Sequence, residues 1–169
     1  SNRVLDNISF KPNIREAVTV SFWIKTTSVS SAAASIAGDI FTLNQGLTIK
    51  LTTVCSVDNL TFAKFKTVIY REDVQPATPE TIEYNNLARV PGQPLSVSTW
   101  LKVDLGLDVH TKSHFLALNE AAIYSVLTIP ATFSFDTPYF RFDSPLMAFY
   151  VKKLYIFGEY LRPDIYSTN

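Results

Sequence analysis

Glutamates are the side chains of this sequence best suited to acid–base chemistry, because two carboxylates on one strand face can cleave a glycosidic bond. One carboxyl group would act as the acid and the other as the nucleophile. Glu80 and Glu83 lie near each other, but a spacing of three residues places them on opposite faces of a strand. Glu72 stands in a proline-rich segment that is typical of a loop. The sequence therefore favours solvated carboxylates over a catalytic pair.

Histidine and cysteine are the other side chains that could bind a metal or attack a substrate. His110 and His114 are four residues apart, and in one continuous strand they would share a face and could clamp a transition metal. Thr111-Lys112-Ser113 between them is typical of a turn, and no third ligand is evident, so a metal site is disfavoured. The single cysteine, Cys55, excludes an intrachain disulfide. We expect a buried structural thiol, with a reactive or intermolecular thiol as the alternative.

Aromatic residues make up 13% of the chain and offer flat faces on which a sugar ring could stack. Trp23 and Trp100 lie in apolar strands, so we expect both to pack in the core. The segment Phe133–Phe142 is a loop-like aromatic cluster, and we predict a binding surface there. The predicted ligand contacts are Asp136, Tyr139, Phe140 and Asn119.

The elements that must position these side chains are short strands. Runs of β-branched and aromatic residues, separated by Pro, Gly, Asn, Asp and Ser, indicate about ten to twelve of them. Leu47, Ile49 and Leu51 alternate with polar residues, which is typical of a half-buried antiparallel strand. One short helix candidate, around Ser30–Ala37, is explained equally well as a loop. Two short aromatic pieces, Phe133–Phe135 and Tyr139–Phe142, are split by Asp136 and Pro138. The predicted strands are Val18–Ile24, Asp39–Leu43, Leu47–Val54, Leu60–Tyr70, Thr81–Tyr84, Trp100–Leu107, His114–Leu118, Ala121–Ile129 and Leu146–Phe157.

Without helical crossovers between these strands, a parallel sheet is disfavoured. The sequence predicts one all-β domain over residues 1–169, folded as a two-sheet antiparallel jelly-roll sandwich. A chain of 169 residues can bury such a core without disulfides or metal. Its 47% hydrophobic and 18% charged residues argue against disorder.

Charge and hydropathy exclude two classes of partner. Lys and Arg (15) balance Asp and Glu (15), so we expect no nucleic-acid partner. No run reaches the roughly 18 apolar residues of a membrane span, so we expect no membrane insertion. The Ser-Asn start is typical of an excised or recombinant domain, so the missing signal peptide says little about the parent protein, and we expect this domain to be part of a larger one.

Five groups of segments follow one another in a distinctive order over most of the chain: Ala17–Thr26, Asp39–Leu43 with Gly46–Lys50, Ser98–Trp100 with Val103–Leu105, His114–Asn119, and Lys153–Phe157 with Tyr160–Pro163. The order of these segments resembles the laminin-G-like, or concanavalin A-like, sandwich family. The pair Asn119-Glu120 departs from the Asn-Gly turn usual in that family, and five glycines are few for it.

The resemblance implies a module that binds glycans or proteins, although some members of the family are catalytic. Members that hydrolyse β-glucans carry a Glu-x-Asp-x-x-Glu strand motif, which no glutamate of this sequence begins. Calcium is the usual ion of the family and is a possible cofactor here. The candidate metal ligands are Asp39 and Asp108, although no compact run of aspartates supports them.

Three functions stay open at the level of the sequence. The favoured one is a non-catalytic extracellular or cell-surface adhesion module that binds a protein or glycan partner. The second is a lectin-like module with aromatic and Asn or Asp side chains on one face. The third is a glycosidase or lyase, which needs two carboxylates roughly 5–10 Å apart in a groove. Two sequons, at Asn7 and Asn59, fit secretion weakly.

Overall fold

The computed structural model describes residues 3–5, 17–29, 35–45, 47–56, 61–71, 79–85, 87, 90, 99–128, 139–142 and 147–163. Within these residues the chain forms eleven strands in two sheets. The strands are β1 (Arg3–Leu5), β2 (Ala17–Val29), β3 (Ser35–Gln45), β4 (Leu47–Ser56), β5 (Phe62–Arg71), β6 (Glu80–Tyr84), β7 (Leu101–Asp108), β8 (Ser113–Leu118), β9 (Ala121–Val126), β10 (Tyr139–Phe142) and β11 (Met147–Phe157).

The strand order is β1-β10-β3-β4-β5-β6 in the six-stranded sheet and β11-β2-β7-β8-β9 in the five-stranded sheet. Every neighbouring pair in both sheets is antiparallel. Strands β10 and β11 return from late in the chain to pair with the early strands β3 and β2. These long-range returns are the connections of a jelly roll. The prediction of an all-β, two-sheet, concanavalin A-like sandwich is confirmed.

Alternating apolar residues build the core between the two sheets. In β2, Val18, Val20, Phe22 and Ile24 are fully buried, because every second side chain of a strand points to the same side. Strands β4, β7 and β8 contribute their own alternating leucines to the same cluster. Cys55 lies in this core, as predicted, and burial raises the pKa of its thiol.

Two tight turns lie where the sequence predicts them. Asn119 and Glu120 both have positive φ, 47° and 70°, which a two-residue hairpin between β8 and β9 requires. Residues 109–112 form the turn between β7 and β8, so His110 and His114 do not lie in one continuous strand. The helix candidate at Ser30–Ala37 is wrong over its last residues, because β3 begins at Ser35.

Gly106 allows an aromatic ring to lie flat on the outer face of the five-stranded sheet. Its cross-strand partner is Phe115, whose side chain is 1% exposed. The Phe115 ring packs against Tyr124 and meets Tyr160 edge to face at 5.5 Å. A β carbon on residue 106 would come within 2.8 Å of the ring carbon Cζ and nearer still to Cε1. The ring therefore occupies the space that any other residue type at 106 would need.

Thr19 attaches residues 158–163 to the same outer face. Its hydroxyl donates to the Glu159 carbonyl at 2.7 Å and accepts from the Leu161 amide at 2.9 Å. Together with the Tyr160 ring, these bonds cover the outer face around Thr19 and Phe115. Residues 158–163 do not cover the other end of this outer face, near residue 25 of β2.

His114 is a polar residue on the inner side of β8. It is 1% exposed, and neither ring nitrogen has a hydrogen-bond partner among the described residues. Burial lowers the pKa of the His114 imidazole, and the nearby Glu80 carboxylate partly opposes that shift. Glu80 itself accepts hydrogen bonds from the amide and hydroxyl of Thr128. His114 is therefore neutral in the folded protein near neutral pH.

Gly106→Ala is expected to lower the free energy of unfolding by about 1–3 kcal/mol, because the Phe115 ring must move out of a packed site. Denaturant unfolding measures this loss. In a Phe115→Ala background the same change should have almost no effect, because no ring remains to be displaced. Additive losses from the two substitutions would contradict this assignment.

His114→Gln is expected to reduce the acid sensitivity of the fold. Below pH 6.5, the ordinary histidine pKa, the unfolded chain binds a proton that folded His114 resists. Stability therefore falls as the pH drops from 6.5 towards the lowered pKa of the folded state. Urea unfolding across this range should give a flatter pH profile for the variant. His110→Gln, at an exposed histidine, is the matched control and should leave the slope unchanged. An unchanged slope in His114→Gln would contradict the prediction.

Candidate functional site

The uncovered end of the five-stranded sheet carries a cluster of aromatic and basic side chains on its outer face. We call this cluster the aromatic–lysine face. It lies on β2, on β11 and at the start of β7. Its members are Trp23, Lys25, Trp100, Tyr150, Lys152 and Tyr155.

The strand register brings these residues together. Tyr150 of β11 pairs with Lys25 of β2, and Lys152 pairs with Trp23. On the other side of β2, Ile24 pairs with Leu101, which places the preceding Trp100 beside Lys25. Aromatic and basic residues therefore alternate both along the strands and across them.

The lysine ammonium groups lie over the aromatic rings. Lys152 Nζ is 4.1 Å from the centroid of the Trp100 ring, and Lys25 Nζ is 5.1 Å from the same centroid. Lys25 also lies 5.8 Å from the Tyr150 ring, and Lys152 lies 5.6 Å from the Trp23 ring. All four distances fall within the range of cation–π attraction. Trp100 is therefore the centre of the face, with two cations against its ring.

A β-bulge at Lys153 keeps the aromatic residues of β11 on the outside. The register shifts between Lys152 and Tyr155, and Lys153 has a φ of 51°. The extra residue lets Leu154 and Ile156 pack against the core while Tyr155 faces outward. Lys153 itself is exposed and adds a further positive charge at the edge of the face.

The expectation that both tryptophans pack in the core is wrong. Trp23 and Trp100 are half-buried and do not belong to the core cluster. Trp23 shares its strand parity with Thr19 and Ser21, so the alternation that buries Phe22 turns Trp23 outward. Tyr150 and Tyr155 are more exposed, at 57% and 44% of their surfaces. The face therefore presents ring surface to solvent.

Among the described residues, no carboxylate lies within ion-pair distance of Lys25 or Lys152, and the same holds for Lys66, Lys112 and Lys153. Three other lysines are paired with an acidic residue on their own or a neighbouring strand or turn. These pairs are Lys50–Asp39 at 3.5 Å, Lys64–Glu83 at 2.6 Å and Lys102–Glu120 at 3.2 Å. Although the chain has no net charge, the aromatic–lysine face carries a local positive charge.

Two of the four predicted ligand contacts lie in β10. Asp136 is outside the described residues. Tyr139 and Phe140 form β10 of the six-stranded sheet, opposite Asn44 and Leu43, and their side chains are outside the described part of the structure. Their role in ligand binding stays a prediction. The structure places β10 in a different sheet from the aromatic–lysine face.

Asn119, the fourth predicted contact, has a role within its own hairpin. The side-chain oxygen of Asn119 accepts a hydrogen bond from the backbone amide of Lys102 at 3.0 Å. The backbone amide of Asn119 donates a hydrogen bond to the backbone carbonyl of Lys102 at 2.8 Å. These bonds hold the β8–β9 turn against the start of β7. Ligand binding by Asn119 is a prediction that this geometry does not test.

The two candidate calcium ligands lie apart in the structure. Asp39 is paired with Lys50 on the six-stranded sheet. Asp108 ends β7, and its carboxylate accepts hydrogen bonds from the amides of His110 and Thr111 at 2.9 and 3.0 Å. Among the described residues, no group of three His, Cys, Asp or Glu side chains is placed to hold a metal. Calcium binding stays a prediction.

A second surface feature is a shallow depression of about 320 Å³ on the outer face of the six-stranded sheet. It has no aromatic lining residue among those described, and its charges are largely compensated. Lys64 is paired with Glu83, and this contact holds the pKa of the Glu83 carboxyl below its usual value. The depression is lined by Gly38, Asp39, Thr52, Thr53, Val54, Lys64 and Lys66.

Comparison with known proteins shows the fold of the chain. No protein-family model matches the sequence, and the search of curated proteins gave no match. The CBM40 of Ruminococcus gnavus IT-sialidase bound to α2,3-sialyllactose is similar in structure, with a TM-score of 0.57 and 11% identity over 89% of this chain and 80% of that one. Domain 4 of AbnA, a GH43 extracellular arabinanase from Geobacillus stearothermophilus, in complex with arabinotriose, gives a TM-score of 0.53 and 13% identity over 97% of this chain and 78% of that one.

A third similar structure is the binding domain of botulinum neurotoxin DC in complex with rat synaptotagmin II. It gives a TM-score of 0.57 and 14% identity over 89% of this chain, which spans only 34% of the toxin chain. The chain thus has the concanavalin A-like sandwich fold of several binding domains. Separately, the described residues contain no helix of the length and apolarity needed to cross a membrane.

Tyr150→Ala is expected to change the free energy of unfolding by less than about 0.5 kcal/mol, because the exposed ring contributes little to the core. Phe22→Ala, at a fully buried position of the paired strand β2, is the contrasting variant and should cost about 3–5 kcal/mol. Thermal or urea unfolding measures both. A loss at Tyr150 as large as that at Phe22 would show that the face is part of the folding core.

Proposed function

We propose that the protein is a non-catalytic carbohydrate-binding module that docks a saccharide on the aromatic–lysine face. The observation that carries this proposal is the set of half-buried and exposed rings around Trp100, interleaved with ammonium groups. The rings offer flat apolar surface for the carbon–hydrogen face of a sugar. The ammonium groups of Lys25 and Lys152 offer hydrogen-bond donors for its hydroxyl groups.

The composition of the face favours a sugar over a protein partner. The cores of protein interfaces are enriched in aromatic residues but depleted in lysine. Here two lysines stand at the centre of the aromatic cluster, over the Trp100 ring. A saccharide carries polar groups around its whole rim, so it can satisfy these donors while it packs against the rings.

The structural comparisons support the proposal at the level of the fold. Two similar structures hold saccharides, sialyllactose in one and arabinotriose in the other. The toxin domain is in complex with a protein, which makes a protein ligand the second candidate for this chain. Membership of the laminin-G-like family, extracellular or cell-surface location and origin in a larger protein are further parts of the proposal.

The absence of catalysis is proposed because several carboxylates have structural roles. Glu83 and Glu120 are paired with lysines, Asp108 caps a turn, and Glu80 accepts hydrogen bonds from Thr128. Hydrolysis of a glycosidic bond would instead need two carboxyl groups facing one another across a groove.

A glycan array tests the proposed function. The wild-type protein should bind a subset of glycans, and Trp100→Ala and Tyr150→Ala should each weaken binding roughly tenfold through lost ring contacts. Tyr124→Ala is the matched control, because Tyr124 is 50% exposed on the same sheet but lies on β9, away from the face. Melting temperatures measured in parallel would show that each variant is folded.

Two results would contradict the proposed function. One is the absence of binding to any glycan together with capture of a protein ligand that Tyr150→Ala weakens. The other is glycan binding that neither Trp100→Ala nor Tyr150→Ala affects, which would move the site to another surface.

A further inference from the structure

Lys25 and Lys152 place two positive charges against one aromatic ring. Both ammonium groups lie within 5.1 Å of the Trp100 centroid. Two like charges held against the same ring repel each other. The ring attracts each cation but adds no negative charge. The arrangement thus has an excess of positive charge that a bound anion would neutralise.

No ion pair among the described residues removes this excess of positive charge, although the buried Asp104 carboxylate lies on the same outer face, opposite Ser21. No described carboxylate pairs with either lysine, and Lys153 adds charge at the bulge beside them. Lys102 lies next to Trp23 in the register, but it is buried and already paired with Glu120. The aromatic–lysine face is therefore a place where an anionic group is stabilised and a neutral group gains less.

We infer that the saccharide docked on this face carries a carboxylate, as sialic and uronic acids do. This inference rests on the proposed function and specifies the ligand class of the same site. The two oxygens of a carboxylate can each accept from one ammonium group, Lys25 on one side and Lys152 on the other. The sugar ring that bears the carboxylate packs beside Trp100 and over the exposed ring of Tyr150.

The shape of the bulged strand supports this placement. Lys152 pairs with Trp23 immediately before the bulge, so its side chain projects over the rings from the β11 side. Lys25 approaches the same ring from β2. The carboxylate therefore sits between two neighbouring strands, and its position fixes the orientation of the sugar along the face.

The test is binding of purified protein to an array in which each neutral oligosaccharide has counterparts that carry a carboxylate or a sulfate. Lactose with α2,3-sialyllactose is one such pair, and affinities for it are measured by calorimetry. Carboxylate glycans should bind, their affinity should fall as salt is added, and their neutral counterparts should bind at least tenfold more weakly.

Lys25→Gln and Lys152→Gln remove the charges while keeping hydrogen-bonding side chains of similar length. Each should weaken binding of the carboxylate glycan roughly threefold to fivefold and weaken binding of its neutral counterpart by a smaller factor, because only the carboxylate loses a charge–charge interaction. Lys66→Gln is the matched control, because Lys66 lies on the six-stranded sheet at the rim of the depression. It should leave both affinities unchanged.

The possible results separate this inference from the proposed function. Equal binding of neutral and carboxylate glycans, with loss in Tyr150→Ala, would overturn the inference and keep the proposed function. A preference for sulfate over carboxylate would also overturn the inference. If Lys66→Gln abolished binding while the Lys25 and Lys152 variants did not affect it, both the inference and the proposed function would be overturned. Binding of no glycan at all would also overturn both.

Discussion

Strand β11 lies against β2 along most of the length of both strands, although one comes late in the chain and the other early. This pairing adds the last strand to the five-stranded sheet and covers one side of the strand that carries Val18, Val20, Phe22 and Ile24. It also sets Lys152 beside Trp23 and Tyr150 beside Lys25. The same backbone hydrogen bonds therefore complete the sandwich and assemble the aromatic–lysine face.

One end of the outer face of the five-stranded sheet is covered by other parts of the chain, and the other end is uncovered. At one end, residues 158–163 are held by Thr19 and by the packing of Tyr160 on Phe115, and Gly106 leaves space for that ring. At the other end the rings are half-buried or exposed, and the ammonium groups over them lack carboxylate partners among the described residues. Stacking surface and positive charge without an ion-pair partner thus coincide, and this coincidence is the basis of the proposal that the ligand is an acidic sugar.

The strands were predictable from the sequence because alternation and turn residues are local signals. Alternation from Val18 to Ile24 predicted the buried side of β2, and Asn119-Glu120 predicted a hairpin. The aromatic–lysine face was missed because its residues meet only through the long-range pairing of β2 with β11. The parity of Trp23 with Thr19 and Ser21 indicates an outward side chain, whereas the apolar character of the strand favours a place in the core. The bulge at Lys153, which keeps Tyr155 outside, has no clear sequence signal.

The central claim is that an acidic saccharide binds on the aromatic–lysine face, and the two tryptophans of the chain both belong to that face. The most direct measurement is an NMR titration of ¹⁵N-labelled protein with α2,3-sialyllactose or the strongest carboxylate ligand from the array. We expect both indole N–H signals to shift together, while the backbone amides of β4 and β5 stay in place. Saturable binding that leaves both indole signals unmoved, with shifts confined to the six-stranded sheet, would contradict the account.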